Sequence, residues 1–225
     1  MRVHAGIELG CAESPAAPVA CWRWDQQWRA SAHDGRTLVR ESLRPPVATA
    51  IDGPVALSVA AHHACALLRD RRIVCWGRVF RSDAPPPLVE LPELSAATRI
   101  GAGIDHACAV QGAKVWCWGA NDVGQIGLAG AAFVERPRDV DGVSDVVDVA
   151  LGSRRHKSST ELADGAARCF GEARRPTVER QEGVAEIALG GSFACVRCEG
   201  RPPVCWGSVR GSFETEPIEA SLAIE

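Results

Sequence analysis

Short runs in which apolar residues alternate with small or polar residues recur along this chain, and glycine or proline ends most of them. Residues 57–60, 100–103 and 187–190 are examples. Alternation with a period of two predicts a β-strand with one buried face, whereas an amphipathic helix shows a period of 3.6. Because no run of helical length follows the longer period, the pattern predicts an all-β chain.

A cysteine followed by an aromatic residue recurs five times, at Cys21, Cys75, Cys117, Cys169 and Cys205. Four copies have a second cysteine 9 or 10 residues upstream, and the fourth copy has Ser158 or Ser159 there. Proline-led segments begin at Pro46, Pro87, Pro137, Pro176 and Pro217, at spacings of 41, 50, 39 and 41 residues. A unit of this length with three or four short strands is typical of a propeller blade. We expect the tryptophan after each second cysteine to pack between adjacent blades.

The third unit carries the most specific motif in the chain. Residues 103–110 read Gly-Ile-Asp-His-Ala-Cys-Ala-Val, and residues 117–127 read Cys-Trp-Gly-Ala-Asn-Asp-Val-Gly-Gln-Ile-Gly. These segments resemble the repeat of the regulator of chromosome condensation family, which forms β-propellers. The resemblance extends over nearly the whole chain, although the Asn-x-x-Gly-Gln loop occurs in the third unit alone, and Leu9 and Phe193 replace the histidine in the outer two units.

The length of 225 residues suits one large domain. We therefore predict a single β-propeller domain, residues 1–225, built from about five repeats. The units are expected at 1–45, 46–86, 87–136, 137–175 and 176–216. The first unit lacks a proline-led strand, which the tail 217–225 could supply, closing a five-bladed ring. Because the family usually has seven blades, a partial propeller or a fragment with exposed strand edges is the alternative.

Hairpin geometry predicts disulfides between the paired cysteines. A two-residue turn at Gly112-Ala113 places Cys108 directly opposite Cys117, at a Cα separation of ~4.5–5.5 Å that a disulfide accepts. The predicted pairs are Cys11–Cys21, Cys65–Cys75, Cys108–Cys117 and Cys195–Cys205. Cys169 and Cys198 are left over, and the C-x-x-C at 195–198 lacks the second pair or βαβ context of a zinc or redox site.

The compartment follows from the cysteines only in part. Four disulfides favour an oxidising location, the cell exterior or the cell envelope. The first 20 residues, however, show no apolar run that would serve as the core of a secretory signal. In a reducing compartment the same cysteines would be small buried hydrophobic residues, so the sequence leaves both interpretations open.

No motif nominates a catalytic, cofactor-binding or metal-binding site, so we expect no enzyme activity and no cofactor. His63, His106 and His156 recur at one position of the blade, which favours packing, since catalytic groups must converge on one reacting atom. A net charge of -3 argues against sequence-independent nucleic-acid binding. No apolar run approaches the ~20 residues of a membrane span.

Function is therefore expected in loops displayed by the scaffold. We interpret the chain as a monomeric, non-enzymatic module that binds a protein partner through the loops at 23–36, 78–87 and 119–137. The candidate anchors are the loop aromatics, Trp24, Trp28, Phe80 and Phe133; ordinary packing beneath a loop is the alternative. The family resemblance implies another function, guanine-nucleotide exchange on a small GTPase, and a third is inhibition of a secreted enzyme.

Overall fold

The computed structural model describes residues 1–6, 9–14, 17–29, 37–43, 47–77, 88–122, 124–128, 131–152, 157–162, 167–171, 184–189, 193–198, 200, 202–209 and 212–219. Within these residues the chain is built from short antiparallel strands and one turn of 3-10 helix, Pro92–Leu94. The predicted all-β class is confirmed. Five sheets follow one another along the chain.

Sheets 1 and 2 come from the first ninety or so residues. Sheet 1 contains β1 (Arg2–Ala5), β2 (Leu9–Ser14), β3 (Ala17–Arg29), β4 (Thr37–Leu43) and β5 (Val47–Ala48). Sheet 2 contains β6 (Ala56–Val59), β7 (His63–Leu67), β8 (Ile73–Gly77) and β9 (Val89–Glu90). Both are antiparallel, so each hairpin turns back on itself before the chain moves to the next sheet.

The remaining three sheets repeat the arrangement. Sheet 3 contains β10 (Arg99–Ala102), β11 (His106–Gln111), β12 (Lys114–Ala120) and β13 (Phe133–Asp139). Sheet 4 contains β14 (Val146–Leu151), β15 (Lys157–Leu162) and β16 (Ala167–Gly171). Sheet 5 contains β17 (Val184–Leu189), β18 (Phe193–Cys198), β19 (Val204–Val209) and β20 (Ser212–Glu219).

The cysteines pair as the hairpin geometry predicted. Each pair occupies directly opposed positions of the second and third strands of its sheet. The Sγ–Sγ distances of Cys11–Cys21, Cys65–Cys75, Cys108–Cys117 and Cys195–Cys205 lie between 2.10 and 2.15 Å. Because each bond closes a short loop, its entropic stabilisation is modest, about 2–3 kcal/mol. Its main effect is to fix the register of one hairpin.

The fourth sheet settles one open choice and corrects one prediction. Ser159, and not Ser158, stands opposite Cys169. The place that His63 and His106 hold, opposite the glycine after the aromatic residue, is taken in this sheet by Lys157, which opposes Gly171. His156 therefore does not share that position as we predicted, and it lies outside the described residues. Because Ser159 pairs with Cys169, the position equivalent to His63 falls at residue 157, one residue later than we predicted.

The proline-led segments supply the outer strand of the sheet that precedes them. After Pro87, β9 pairs with β8, and the strand that contains Pro137 pairs with β12. The tail behaves in the same way, since Ile218 stands opposite Cys205 of sheet 5. The segment at Pro217 is thus the outer strand of sheet 5 and not a strand of sheet 1. Closure of the ring and the five unit boundaries stay predictions.

Adjacent sheets stack in one repeated way. We call the side of a sheet that holds the paired cysteines its cysteine face and the opposite side its tryptophan face. The cysteine face of sheet 2, with Cys65 and Leu67, packs on Ala109 and Trp118 of the tryptophan face of sheet 3. Trp118 is fully buried there, and Trp76 packs against sheet 1 in the same way, which confirms the predicted packing between blades for these two tryptophans. Sheet 1 packs on sheet 2, and sheet 3 on sheet 4, through the corresponding faces.

Glycine is required where the Cys-Trp-Gly segment passes its neighbour. Gly119 has φ +101°, and a Cβ there would lie 2.5 Å from the backbone oxygen of Asp105 and 2.7 Å from the Cα of His106. Gly77 has the same conformation at the equivalent place, beside His63. The glycine therefore lets the third strand approach the second closely at the open end of the hairpin, opposite its turn.

Gly119→Ala is expected to lower the free energy of unfolding by about 3 kcal/mol or more, because it adds a backbone clash to an unfavourable conformation. Gly112→Ala is the matched control: its φ of +60° is also positive, but nothing lies within 4 Å of the added Cβ. That change is expected to cost about 1–2 kcal/mol. Urea unfolding of both variants checks the difference, and equal losses would contradict the close packing at Gly119.

Ser159→Cys is expected to form a fifth disulfide with Cys169, since the two positions oppose each other as in the other four hairpins. Ser158→Cys is the control, because residue 158 stands opposite Phe170 and not opposite Cys169. Peptide mapping under non-reducing conditions reads out both variants. A bond from residue 158 to Cys169 would show that the register is wrong.

Candidate interaction surface

The four predicted anchor residues fall in different settings. Trp24 and Trp28 lie in β3, opposite Leu43 and Leu38 of β4, so residues 23–29 continue a strand where we predicted a loop. The hairpin of β3 and β4 extends sheet 1 beyond the Cys11–Cys21 pair. Phe80, like the rest of the loop 78–87, lies outside the described residues. Phe133 begins β13 and is partly exposed.

The loop between β12 and β13 is held by one buried side chain. The amide nitrogen of Asn121 donates to the carbonyl oxygens of Leu128, at 2.6 Å, and of Ala131, at 2.8 Å. Its amide oxygen accepts from the backbone nitrogen of Ile126, at 3.3 Å. Since Asn121 is only 6% exposed, these bonds are shielded from water. One asparagine therefore ties the loop together at three points.

The same loop is closed by further polar contacts. The amide of Gln125 donates to the carboxylate of Asp122 at 2.9 Å, and the backbone nitrogen of Asn121 donates to the carbonyl of Ala132 at 2.8 Å. Phe133, directly after Ala132, stands opposite Ala120 at the start of the outer strand. The loop thus presents Phe133 from a preorganised backbone, which lowers the entropic cost of binding a partner.

His63 and His106 are buried between sheets 2 and 3 and are fully covered. Burial is the main reason that the pKa of His63 falls to about 3, helped by the nearby His106 and His62 and opposed by the backbone of His106 and Ile104. Burial also lowers the pKa of His106 to about 4. Both rings are therefore neutral at pH 7 and act as packing groups, which agrees with the structural role predicted from their recurrence.

Ion pairs bind the outer strands to the hairpins. Arg72, in the turn between β7 and β8, lies 2.7 Å from Asp70 and 2.9 Å from Glu90 of β9. Its hydrogen bond to Asp70 holds the pKa of that carboxyl below its usual value. In sheet 3, Lys114 lies 2.9 Å from Asp139. Because these pairs are exposed, they contribute little stability and chiefly position the outer strands.

An open groove of about 410 Å³ lies between sheets 1 and 2 on their outer side. Its apolar lining includes Ile51, Leu68 and Val74. The charged Asp70 and Arg72 on its wall engage each other. The groove is large enough for a small ligand, but the described residues direct no convergent set of polar groups into it.

The described residues contain neither a metal-binding cluster nor a membrane-spanning helix. No group of three or more histidine, cysteine or acidic side chains there is arranged to hold a metal ion. Likewise, none of the helices in the described part of the chain is long and apolar enough to cross a membrane. The C-x-x-C segment is accounted for by the disulfide of Cys195, and Cys198 is a buried thiol.

Comparison with known proteins agrees with the fold. Residues 113–154 match the family model of the regulator of chromosome condensation (RCC1) repeat. The human protein RCC2 is 30% identical over 83 residues, which make up 34% of this chain and 16% of RCC2. The chain is therefore similar to only a small part of that relative.

Three solved structures share the architecture. Human WBSCR16 has a TM-score of 0.72 at 13% identity, over 99% of this chain and 67% of that one. Prp20p from Saccharomyces cerevisiae, studied together with its binding to Gsp1p and histones, has a TM-score of 0.70 at 17% identity, over 99% and 63% of the two chains. The yeast RCC1 bound to Kap60 has a TM-score of 0.65 at 17% identity, over 92% of this chain and 56% of that chain.

The fold is that of the β-propellers. Within that class, residues 113–154 match the RCC1 repeat, and cysteine pairs cross four of the described hairpins. The resemblance found in the sequence is confirmed for residues 113–154.

The buried histidines predict loss of stability in acid. In the unfolded chain their pKa is near 6.5, so below that value the unfolded state binds protons that the folded state excludes. Each contributes up to about 1.4 kcal/mol per pH unit once the pH is well below 6.5, so the free energy of unfolding is expected to fall by about 3 kcal/mol from them between pH 6.5 and pH 5. Urea unfolding at a series of pH values measures this dependence.

His106→Gln is expected to remove about half of this pH dependence, because one of the two buried imidazoles is gone. His4→Gln, which removes a partly exposed histidine of sheet 1, is the control and keeps the pair of sheets 2 and 3 intact. A pH dependence that is unchanged in the His106 variant would contradict the assignment.

Proposed function

We propose that this chain is a non-enzymatic protein-interaction module whose loops contact a protein partner. The observation that carries the proposal is the loop held by Asn121, which presents Phe133 beside an exposed outer strand. A rigid loop with an aromatic anchor is a common centre of binding energy in protein interfaces. The yeast neighbour, which has been studied bound to Kap60 and with Gsp1p and histones, supports a protein as the ligand class.

The residues of β13 that follow Phe133 provide a polar rim around this anchor. Glu135 and Arg136 are exposed on β13, and Arg136 lies 3.5 Å from Glu93 of the 3-10 helix Pro92–Leu94. An aromatic anchor within a rim of both charges matches the usual anatomy of a protein–protein interface. Trp24 and Trp28 belong to the proposed surface as part of the extended hairpin of sheet 1.

Guanine-nucleotide exchange on a small GTPase is the second candidate. It is favoured by the structural likeness to Prp20p, which binds Gsp1p. The likeness rests on the fold at 17% identity, and no described residue of this chain is matched to an exchange loop. We therefore rank it below the general interaction module.

The test is to identify partners by capture on the intact protein and then to measure the affinity of each for single variants. Phe133→Ala is expected to weaken binding at least about tenfold, as the loss of an anchor does. Val147→Ala is the control, because Val147 is an apolar residue, 42% exposed, on β14 of sheet 4 and outside the candidate loops. Equal affinities of the wild-type chain and the Phe133 variant would remove Phe133 from the surface.

The same purified protein distinguishes the two candidates. Release of a fluorescent guanine nucleotide from small GTPases of the source organism is expected to proceed at its intrinsic rate in the presence of this chain. Acceleration that depends on the concentration of the chain would instead favour the exchange factor.

A further inference from the structure

The stacking rule of the sheets leaves one face uncovered at each end of the described arc. Extensive contacts join the innermost strands in order, from β1 to β6, β6 to β10, β10 to β14 and β14 to β17. Among the described strands, no contact of this extent joins sheet 5 back to sheet 1. Among the described strands, the tryptophan face of sheet 1 and the cysteine face of sheet 5 therefore have no stacked neighbour.

The exposure of Val3 shows the effect of the missing neighbour on sheet 1. Val3 pairs with Ala12 as Leu57 pairs with Ala66 and Ile100 with Ala109. Leu57 is 8% exposed, because it packs on the cysteine face of sheet 1, and Ile100 packs in the same way on the cysteine face of sheet 2. Val3 is 68% exposed. An apolar residue that every internal sheet covers is thus bare on sheet 1.

The cysteine face of sheet 5 shows the complementary deficit. The six paired cysteines of sheets 1 to 3 are between 0 and 8% exposed, whereas Cys195 and Cys205 are partly exposed. Two residues after Cys195, Arg197 is exposed at the position that Leu67 and Val110 hold in sheets 2 and 3.

A charged residue at that position is compatible with a stacked pair of sheets. Glu13, two residues after Cys11, occupies it in sheet 1, where Arg2 lies 3.6 Å and His4 3.4 Å away. Its side chain is only 14% exposed, and the cysteine face of sheet 1 nevertheless packs on sheet 2 with this charged residue in place. Arg197 therefore does not prevent the last cysteine face from receiving a tryptophan face.

We propose that the two end faces bind each other between molecules, so that the cysteine face of sheet 5 in one copy packs on the tryptophan face of sheet 1, around Val3, in a second copy. The contact continues the interface that already joins the internal sheets. It is independent of Phe133 and the loop of Asn121, and it replaces our expectation of a monomer. Because two different patches meet, the contact is heterologous and uses one end of each copy.

Sedimentation velocity of the intact chain over a wide concentration range tests the proposal. The average mass of the wild-type chain is expected to rise with concentration. Val3→Glu is expected to weaken association at least tenfold, because it places a charge in the apolar contact. Val55→Glu and Val147→Glu are matched controls, since these valines are 59% and 42% exposed at other places, and both are expected to associate like the wild type. A weakening in the controls equal to that in the Val3 variant would overturn the proposal.

Cross-linking identifies which faces meet. Chains with Val3→Cys are mixed with differently tagged chains with Arg197→Cys and treated with a short bismaleimide, and the unmodified chain reports the background from its own thiols. A conjugate between the two variants is expected. Conjugates of the Val3 variant with itself alone would overturn the head-to-tail contact.

A wild-type chain that stays monomeric at every concentration would also overturn the proposal. In that case the double variant Val3→Cys, Arg197→Cys separates the remaining occupants of the face. A cross-link within one chain would show that the ring closes on itself. Its absence would leave the face to a different protein.

Discussion

The stacking of a cysteine face on a tryptophan face is the interaction on which the rest of this structure depends. A single small sheet is only marginally stable in water, and here each internal sheet is covered on both sides, so that every residue of β7 is buried. The face that meets Trp118 holds Cys65, Cys75 and Leu67, and the two small cysteines leave room for the indole ring. The disulfides then hold two strands in the one register that keeps small residues opposite the tryptophan. Gly77 and Gly119 let the two strands of their hairpins approach closely at the end opposite the turn.

The sequence repeat and the sheets are out of phase, which ties neighbouring sheets together. The family match begins at Ala113, inside the hairpin of sheet 3, and ends at residue 154, beyond the first strand of sheet 4. The proline-led segments likewise finish one sheet before the chain enters the next. One consequence concerns function: the loop of Asn121 is anchored at both ends to sheet 3, so a partner that contacts Phe133 meets a surface already held in place.

The pairing of the cysteines could be predicted from the sequence because a spacing of 9 or 10 residues allows few hairpins. The extension of β3 was missed although Asp34-Gly35 is a turn signal, because residues 23–29 are rich in polar and charged side chains and become a strand only by pairing with β4. The shifted position of Lys157 was missed because the choice between two adjacent serines depends on register. The exposure of Val3 could not be predicted from the sequence pattern either, since a valine at this position would be buried in any internal sheet.

Hydrogen–deuterium exchange of the intact chain at low concentration, read peptide by peptide, tests the stacking of the sheets most directly. The account predicts that the amides of β7 and β11, whose strands are covered on both faces, exchange most slowly, and that those of β1, at the bare end, exchange much faster. Equal protection of β1 and β7 would contradict the open arc. Fast exchange throughout β7 and β11 would contradict the stacked core itself.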